Sequence, residues 1–127
     1  MLTIRTERTS DYAKVYHLIT QAFKTAEHSD GNEADLVSRL RKSPSFIPEL
    51  SLVAITDDII VGHILFTKAY VNKTIVLALA PLSVLPEYQN QGIGQALIKR
   101  GHKIAQKLGY QYSVVLGHAK YYPKTGY

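Results

Sequence analysis

The run Val84-Leu85-Pro86-Glu87-Tyr88-Gln89-Asn90-Gln91-Gly92-Ile93-Gly94-Gln95-Ala96-Leu97 joins an apolar stretch to a helix-forming one. Upstream, Thr74 to Leu85 is almost uninterruptedly apolar, which predicts a central strand covered on both faces. Pro81 lies inside that strand and cannot donate to a sheet ladder, so it marks a bulge, an edge or a local break in pairing. Downstream, Gly94 to Leu108 predicts a helix whose buried side carries Leu97, Ile104 and Leu108. Gly101 on the same stripe allows close approach to the sheet, and Gly109 ends the helix as a left-handed cap. Tyr112 to Leu116 again reads as a buried strand. Strand, loop, helix and strand in that order make a βαβ unit whose two strands run parallel.

Working outward, Leu2 and Ile4 alternate with Thr3 and Arg5 as in a short strand with one buried face. Ser10 or Asp11 can cap a helix in which Val15, Leu18, Ile19, Ala22 and Phe23 form one apolar stripe. Asn32 can cap a second helix carrying Leu36, Val37 and Leu40. Ser43 to Glu49, with two prolines, predicts a loop. Leu52 to Ile55 and Ile59 to Ala69 then flank an Asp57-Asp58 turn as an antiparallel hairpin, with another turn at Val71 to Lys73. No repeat or Pro/Gly/Ser-rich linker divides the chain, so residues 1–127 are expected to form one domain.

Composition narrows the function classes. At 127 residues, 46% hydrophobic and 20% charged, the chain suits a single modest core. Fifteen Lys and Arg against ten Asp and Glu give a formal charge of +5, which favours an anionic partner: nucleic acid, a phosphorylated metabolite or an anionic cofactor. The absence of cysteine excludes a disulfide framework, a thiolate zinc site and a cysteine nucleophile, and makes the reducing cytoplasm the expected location. Met1 to Asp11 lacks the apolar block of a signal peptide, and no run approaches the ~18 apolar residues of a membrane span, so no membrane partner is expected.

Gly92 and Gly94 leave backbone uncovered where the helix begins, so N–H groups and the positive end of the helix dipole face one point suited to a phosphate. The same glycines would also serve a plain strand-to-helix turn. A dinucleotide fingerprint needs Gly or Ala where Leu97 stands, and a P-loop needs Lys-Ser/Thr where Gln95-Ala96 stands. A third pattern, Gln/Arg-x-x-Gly-x-Gly/Ala, is met at every fixed position by Gln89-Asn90-Gln91-Gly92-Ile93-Gly94. On these residues the chain resembles the GCN5-related N-acetyltransferases, the acetyl-CoA-dependent GNAT family. Ser83-Val84-Leu85-Pro86-Glu87-Tyr88 is similar to the family's strand end, and Tyr121-Tyr122-Pro123-Lys124-Thr125-Gly126-Tyr127 to its Tyr-x-x-x-Gly-Phe, with a Tyr in place of the Phe.

The resemblance implies an α/β fold: a mixed, mostly antiparallel sheet flanked by helices, with a parallel strand pair splayed at the cofactor cleft. It implies that backbone N–H groups of Gln91, Gly92, Ile93, Gly94 and Gln95 cradle the CoA pyrophosphate, with Gln89 shaping the turn. Backbone groups of Leu82 and Val84 would pair with the pantetheine arm, and the Val84 N–H could polarise the thioester carbonyl. The Tyr122 hydroxyl would protonate the leaving thiolate, with Tyr121 as the alternative. The implied reaction is direct attack by a primary amine on acetyl-CoA in a ternary complex, without a metal. Its base is left open among Glu87, His63, His118 and a water chain. Family members usually continue beyond the Gly-Phe position with two more strands, whereas this sequence runs to Tyr127. The resulting expectation is an open edge at Tyr112 to Leu116, covered in a homodimer or swapped assembly, or else a shortened form of a longer protein.

Two other readings stay open: a non-catalytic acyl-CoA-binding module, and a basic nucleic-acid-binding domain. The second lacks a recognition helix, zinc-finger spacing or stacking motif. Lys99, Arg100, Lys103 and Lys107 read as a solvated helix face, or as an attraction for the CoA 3′-phosphate. The amine acceptor is not legible.

Overall fold

Adjacent residues on the middle strands point into different cores, so one sheet carries a packed layer on each face. The computed structural model describes residues 2–23, 33–71, 74–110 and 113–115. In chain order these form β1 (Thr3–Thr6), a 3-10 turn (Thr9–Asp11), α1 (Tyr12–Phe23), α2 (Glu33–Arg41), β2 (Phe46–Thr56) and β3 (Ile59–Val71). There follow β4 (Thr74–Val84), a second 3-10 turn (Pro86–Tyr88), α3 (Ile93–Lys107) and β5 (Ser113–Val115). The sheet has five strands in the order β1-β2-β3-β4-β5. Its first three pairings are antiparallel, and β4 pairs β5 in parallel. The expected mixed, mostly antiparallel α/β architecture is therefore the one observed.

Leu52, Ala54, Ile64, Phe66, Leu77 and Leu79 pack with Ile93, Leu97 and Ile98 of α3. Val53 and Leu65, on the other face, pack with Val15 and Ile19 of α1 and Ala34 and Val37 of α2. The α1 stripe is the expected one, with Val15, Leu18 and Ile19 buried and Phe23 half-buried. Its entry differs: a 3-10 turn precedes the helix, and the Asp11 carboxylate reaches back to accept from the Arg8 N–H (2.8 Å) while Arg5 grips it through two further bonds. The proposed Asn32 cap lies outside the described residues. At the hairpin, Asp57 (φ 51°) and Asp58 (φ 62°) are both left-handed, the twist that a two-residue hairpin needs.

Two expectations change. Ser43 to Glu49 is not all loop, because β2 already begins at Phe46 and includes Pro48. The reason is a register shift against β3 between Phe46 and Ser51; Pro48 stands in that irregular stretch, where its missing N–H costs no ladder bond. In α3, which starts at Ile93, the buried stripe runs through Leu97, Ile98, Gly101 and Ala105, whereas Leu108 is 43% exposed. Leu108 is the C-cap, just past the last helical residue, and is not among the residues packed into the core beneath α3. Gly109 adopts φ +91° immediately after it.

Gly101 fixes how closely α3 lies on the sheet. A Cβ there would sit 2.2 Å from Phe66 Cε2 and 2.8 Å from Cζ, and Phe66 is wholly buried. Gly101→Ala is expected to destabilise the protein by about 1–3 kcal/mol through overpacking, despite alanine's better helix propensity. The urea unfolding midpoint measures this; an unchanged midpoint would mean that helix and ring do not meet.

Candidate functional site

The strand end and the helix start expected to form the site lie at one level of the sheet. Val84 stands opposite Gly62 of β3, and a Cβ on Gly62 would fall 3.0 Å from Leu97 Cδ1 and 3.1 Å from Ile93 Cγ2. The first turns of α3 thus press on the residue paired with Val84. Between them the chain folds tightly: Leu85 N–H donates to Val61 O (2.9 Å) and Tyr88 N–H to Leu85 O (2.8 Å). Gln89 Nε2 donates to Val84 O (3.0 Å), and Gln91 Nε2 to Glu87 O (3.3 Å).

Asn90 (φ 63°) and Gly92 (φ 85°) are left-handed, and Gly92 is the N-cap of α3. No side chain among the described residues caps this helix. Its ladder begins with Ala96 N–H to Gly92 O (3.0 Å), so the amides of Ile93, Gly94 and Gln95 precede any intrahelical acceptor. Gly92 is exposed, and a Cβ built on it meets nothing within 4 Å. Gly94 is buried in the first turn. The result is a compact patch of donors with open space before it, suited to an anion.

Pairing along β4 changes partway. Ile64 faces Leu82 and Phe66 faces Leu79, so Ala80 and Pro81 together oppose Leu65 alone. That is a β-bulge at the proline, one of the three outcomes its presence allowed. Described pairing with β5 covers Leu77 to Leu79, below the bulge. Leu82 to Val84 pair only with β3 among the described residues.

The candidate bases separate. His63 is wholly buried and unable to touch a substrate amine. Burial pushes its pKa down to about 4, opposed by nearby Glu7 and reinforced by Arg41, so its ring is neutral near pH 7. Glu87 is exposed on the turn, as a solvated loop residue would be. His118, Tyr121 and Tyr122 lie outside the described residues. Lys99, Arg100, Lys103 and Lys107 are all exposed, and Arg100 also donates to Ile4 O (3.3 Å).

Sequence reasoning missed the polar network around His63. Arg41 holds Glu7 through Nε (3.1 Å) and Nη2, and its guanidinium lies 3.9 Å from the Tyr12 ring centroid. Ser51 Oγ donates to Glu7 Oε1 (2.8 Å) and lies 3.1 Å from His63 Nε2. No local pattern signals it, because Glu7, Arg41, Ser51 and His63 stand far apart in the sequence.

The fold is thus a mixed α/β sheet in which a glycine turn joins a bulged strand to the start of α3. The model of the acetyltransferase (GNAT) family matches residues 12–127, and the chain belongs to that family. It is 41% identical over 122 residues to the uncharacterised N-acetyltransferase YjhQ of Escherichia coli K12, covering 93% of this chain and 65% of that protein's length. A GNAT acetyltransferase from Brucella melitensis, solved with acetyl-CoA, is 33% identical with a TM-score of 0.90, over 99% of this chain and 82% of that one. YhbS of E. coli, solved with CoA, is 27% identical with a TM-score of 0.85, over 98% and 67% of the two chains.

The neutral burial of His63 predicts acid sensitivity. Its folded pKa of about 4 is below the ordinary 6.5, so the unfolded chain binds the proton first. Stability present above pH 6.5 should fall as pH drops towards 4, by on the order of 3 kcal/mol in all. Asp11, held below its ordinary 3.8 chiefly by the Arg5 hydrogen bonds, contributes its own loss only at lower pH. Unfolding midpoints at pH 7 and 4.5 should differ far less in His63→Gln than in the wild type.

Proposed function

We propose that this protein transfers the acetyl group of acetyl-CoA to a primary amine. The observation that carries the reading is the uncapped, left-handed start of α3 beside the upper end of β4, in a chain whose 33% identical relative was solved with acetyl-CoA. Amides from Gln91 to Gln95 hold the pyrophosphate with no charged side chain, and Gln89 braces the turn through Val84 O. The pantetheine arm lies along Leu82 to Val84 as an added strand.

Chemistry then follows from position. A neutral amine attacks the thioester carbonyl and forms the C–N bond, while the Val84 N–H supports the developing oxyanion. Collapse breaks the C–S bond, and the thiolate takes the proton of the Tyr122 hydroxyl. The nitrogen loses its extra proton to Glu87, His118 or a water chain to solvent, which also restores Tyr122. His63 is not a base here, because its burial separates it from any acceptor. The acetyl group passes without a covalent enzyme intermediate.

Calorimetry with CoA and a release assay over an amine panel test the reading. Binding without amine-dependent CoA release would mark a non-catalytic acyl-CoA module instead. Gly92→Ala places a methyl in the open space at φ +85°, at a backbone cost of about 1–2 kcal/mol. Its CoA affinity should fall by at least about tenfold, and unchanged affinity would refute the cradle. Tyr122→Phe should lower kcat roughly 100-fold with KM for acetyl-CoA within about twofold, as for a leaving-group acid.

A further inference from the structure

Beyond the bulge at Ala80 and Pro81, the register of Leu82 to Val84 is held from one side among the described residues. On that run, Ser83 faces His63 directly across the β3–β4 pair. Both are buried, at 1% and 0% exposure, and each has one side-chain atom without a hydrogen-bond partner among the described residues: Ser83 Oγ and His63 Nδ1.

The network decides what Nδ1 is. The single proton of Ser51 Oγ goes to the Glu7 carboxylate, so toward His63 that oxygen is an acceptor. His63 Nε2 must then carry the ring proton, which leaves Nδ1 as a bare lone pair. Its opposite number is a hydroxyl with a proton to give. The acceptor and the donor are therefore complementary, buried, and register-opposed at the strand end nearest the proposed thioester.

We propose that Ser83 Oγ–H donates to His63 Nδ1 when the thioester arm occupies the β4 edge, making His63 the positioning residue that fixes the Leu82–Val84 amides. The link completes a rigid line from Arg41 at the end of α2 through Glu7, Ser51 and His63 to the strand that polarises the carbonyl. This inference rests on the acetyl-transfer reading. It separates the two ends of the ligand: the pyrophosphate cradle on α3 needs none of these side chains, whereas the alignment of the thioester does.

The test compares full-length wild type, Ser83→Ala, Ser83→Thr, His63→Gln and the Ser83→Ala/His63→Gln double variant. Gln reaches the Nε2 position but places no acceptor at Nδ1. Ser83→Ala should bind 3′-phosphoadenosine 5′-diphosphate, the diphosphate end without the arm, within about twofold of wild type by calorimetry, yet lose about tenfold in kcat/KM for acetyl-CoA, the equivalent of one hydrogen bond. Ser83→Thr, which keeps the hydroxyl, should restore most of that loss, and the double variant should be no slower than either single one. In acetyl-CoA-saturated protein, the imidazole nitrogen spectrum should show His63 with Nε2 protonated, and Ser83→Ala should move the Nδ1 resonance. Wild-type kcat/KM in Ser83→Ala, multiplying losses in the double variant, or an unmoved Nδ1 signal would each overturn the proposal. Wild type that binds no CoA would instead sink the parent reading. Should His63→Gln fail to fold, the Ala and Thr variants at Ser83 decide alone.

Discussion

A central strand that must bury both faces and yet change its pairing partway is the constraint on which this structure depends. Below the bulge, β4 is flanked by β3 and β5 and behaves as an interior strand. At Ala80 and Pro81 the ladder is interrupted, and proline stands where a missing donor is tolerated. Above that point the backbone keeps β3 as its partner and turns directly into the segment that starts α3. The bulge therefore separates a strand that holds the sheet together from a strand end that can meet a ligand.

The two faces of the sheet solve different problems. The buried core on the α3 face is apolar and is dimensioned by contact: Phe66 fits where Gly101 has no side chain, and Gly62 admits Ile93 and Leu97. These near contacts set the height of the helix start relative to Val84, and the Gln89 bond to Val84 O holds the turn between them. The α1/α2 face is closed partly by charge. Arg41 is planar against the Glu7 carboxylate and stacked by the Tyr12 ring, so a guanidinium that would be costly to bury alone is matched on its edge and on its face.

Much of this was legible in the residues. The apolar run Thr74 to Leu85, the glycine pair at 92 and 94, and the parallel crossover after them follow from periodicity and local backbone chemistry, which short windows contain. Pro81 announced an interruption, though not which kind. The start of β2 is not legible, because Pro48 argues for a loop unless the neighbouring strand is already known to skip it. A helical wheel puts Leu108 on the buried stripe because it does not say where the helix stops. The Glu7, Arg41, Ser51 and His63 network was invisible for a different reason: it is a property of tertiary contact, and no local pattern brings those positions together. Tyr122 rests on the family motif alone.

The spacing of that network carries a consequence for how the chain reaches its native state. Glu7 meets partners 34 and 44 positions away, so its carboxylate finds a guanidinium and a hydroxyl only after α2 and β2 have both docked beside it. A shifted β1 or a slipped hairpin would strand a charge in hydrocarbon, a penalty that a purely oily interior would never impose. The ion pair thus works as a checkpoint against near-miss topologies, adding discrimination between right and wrong assemblies more than it adds strength to the right one.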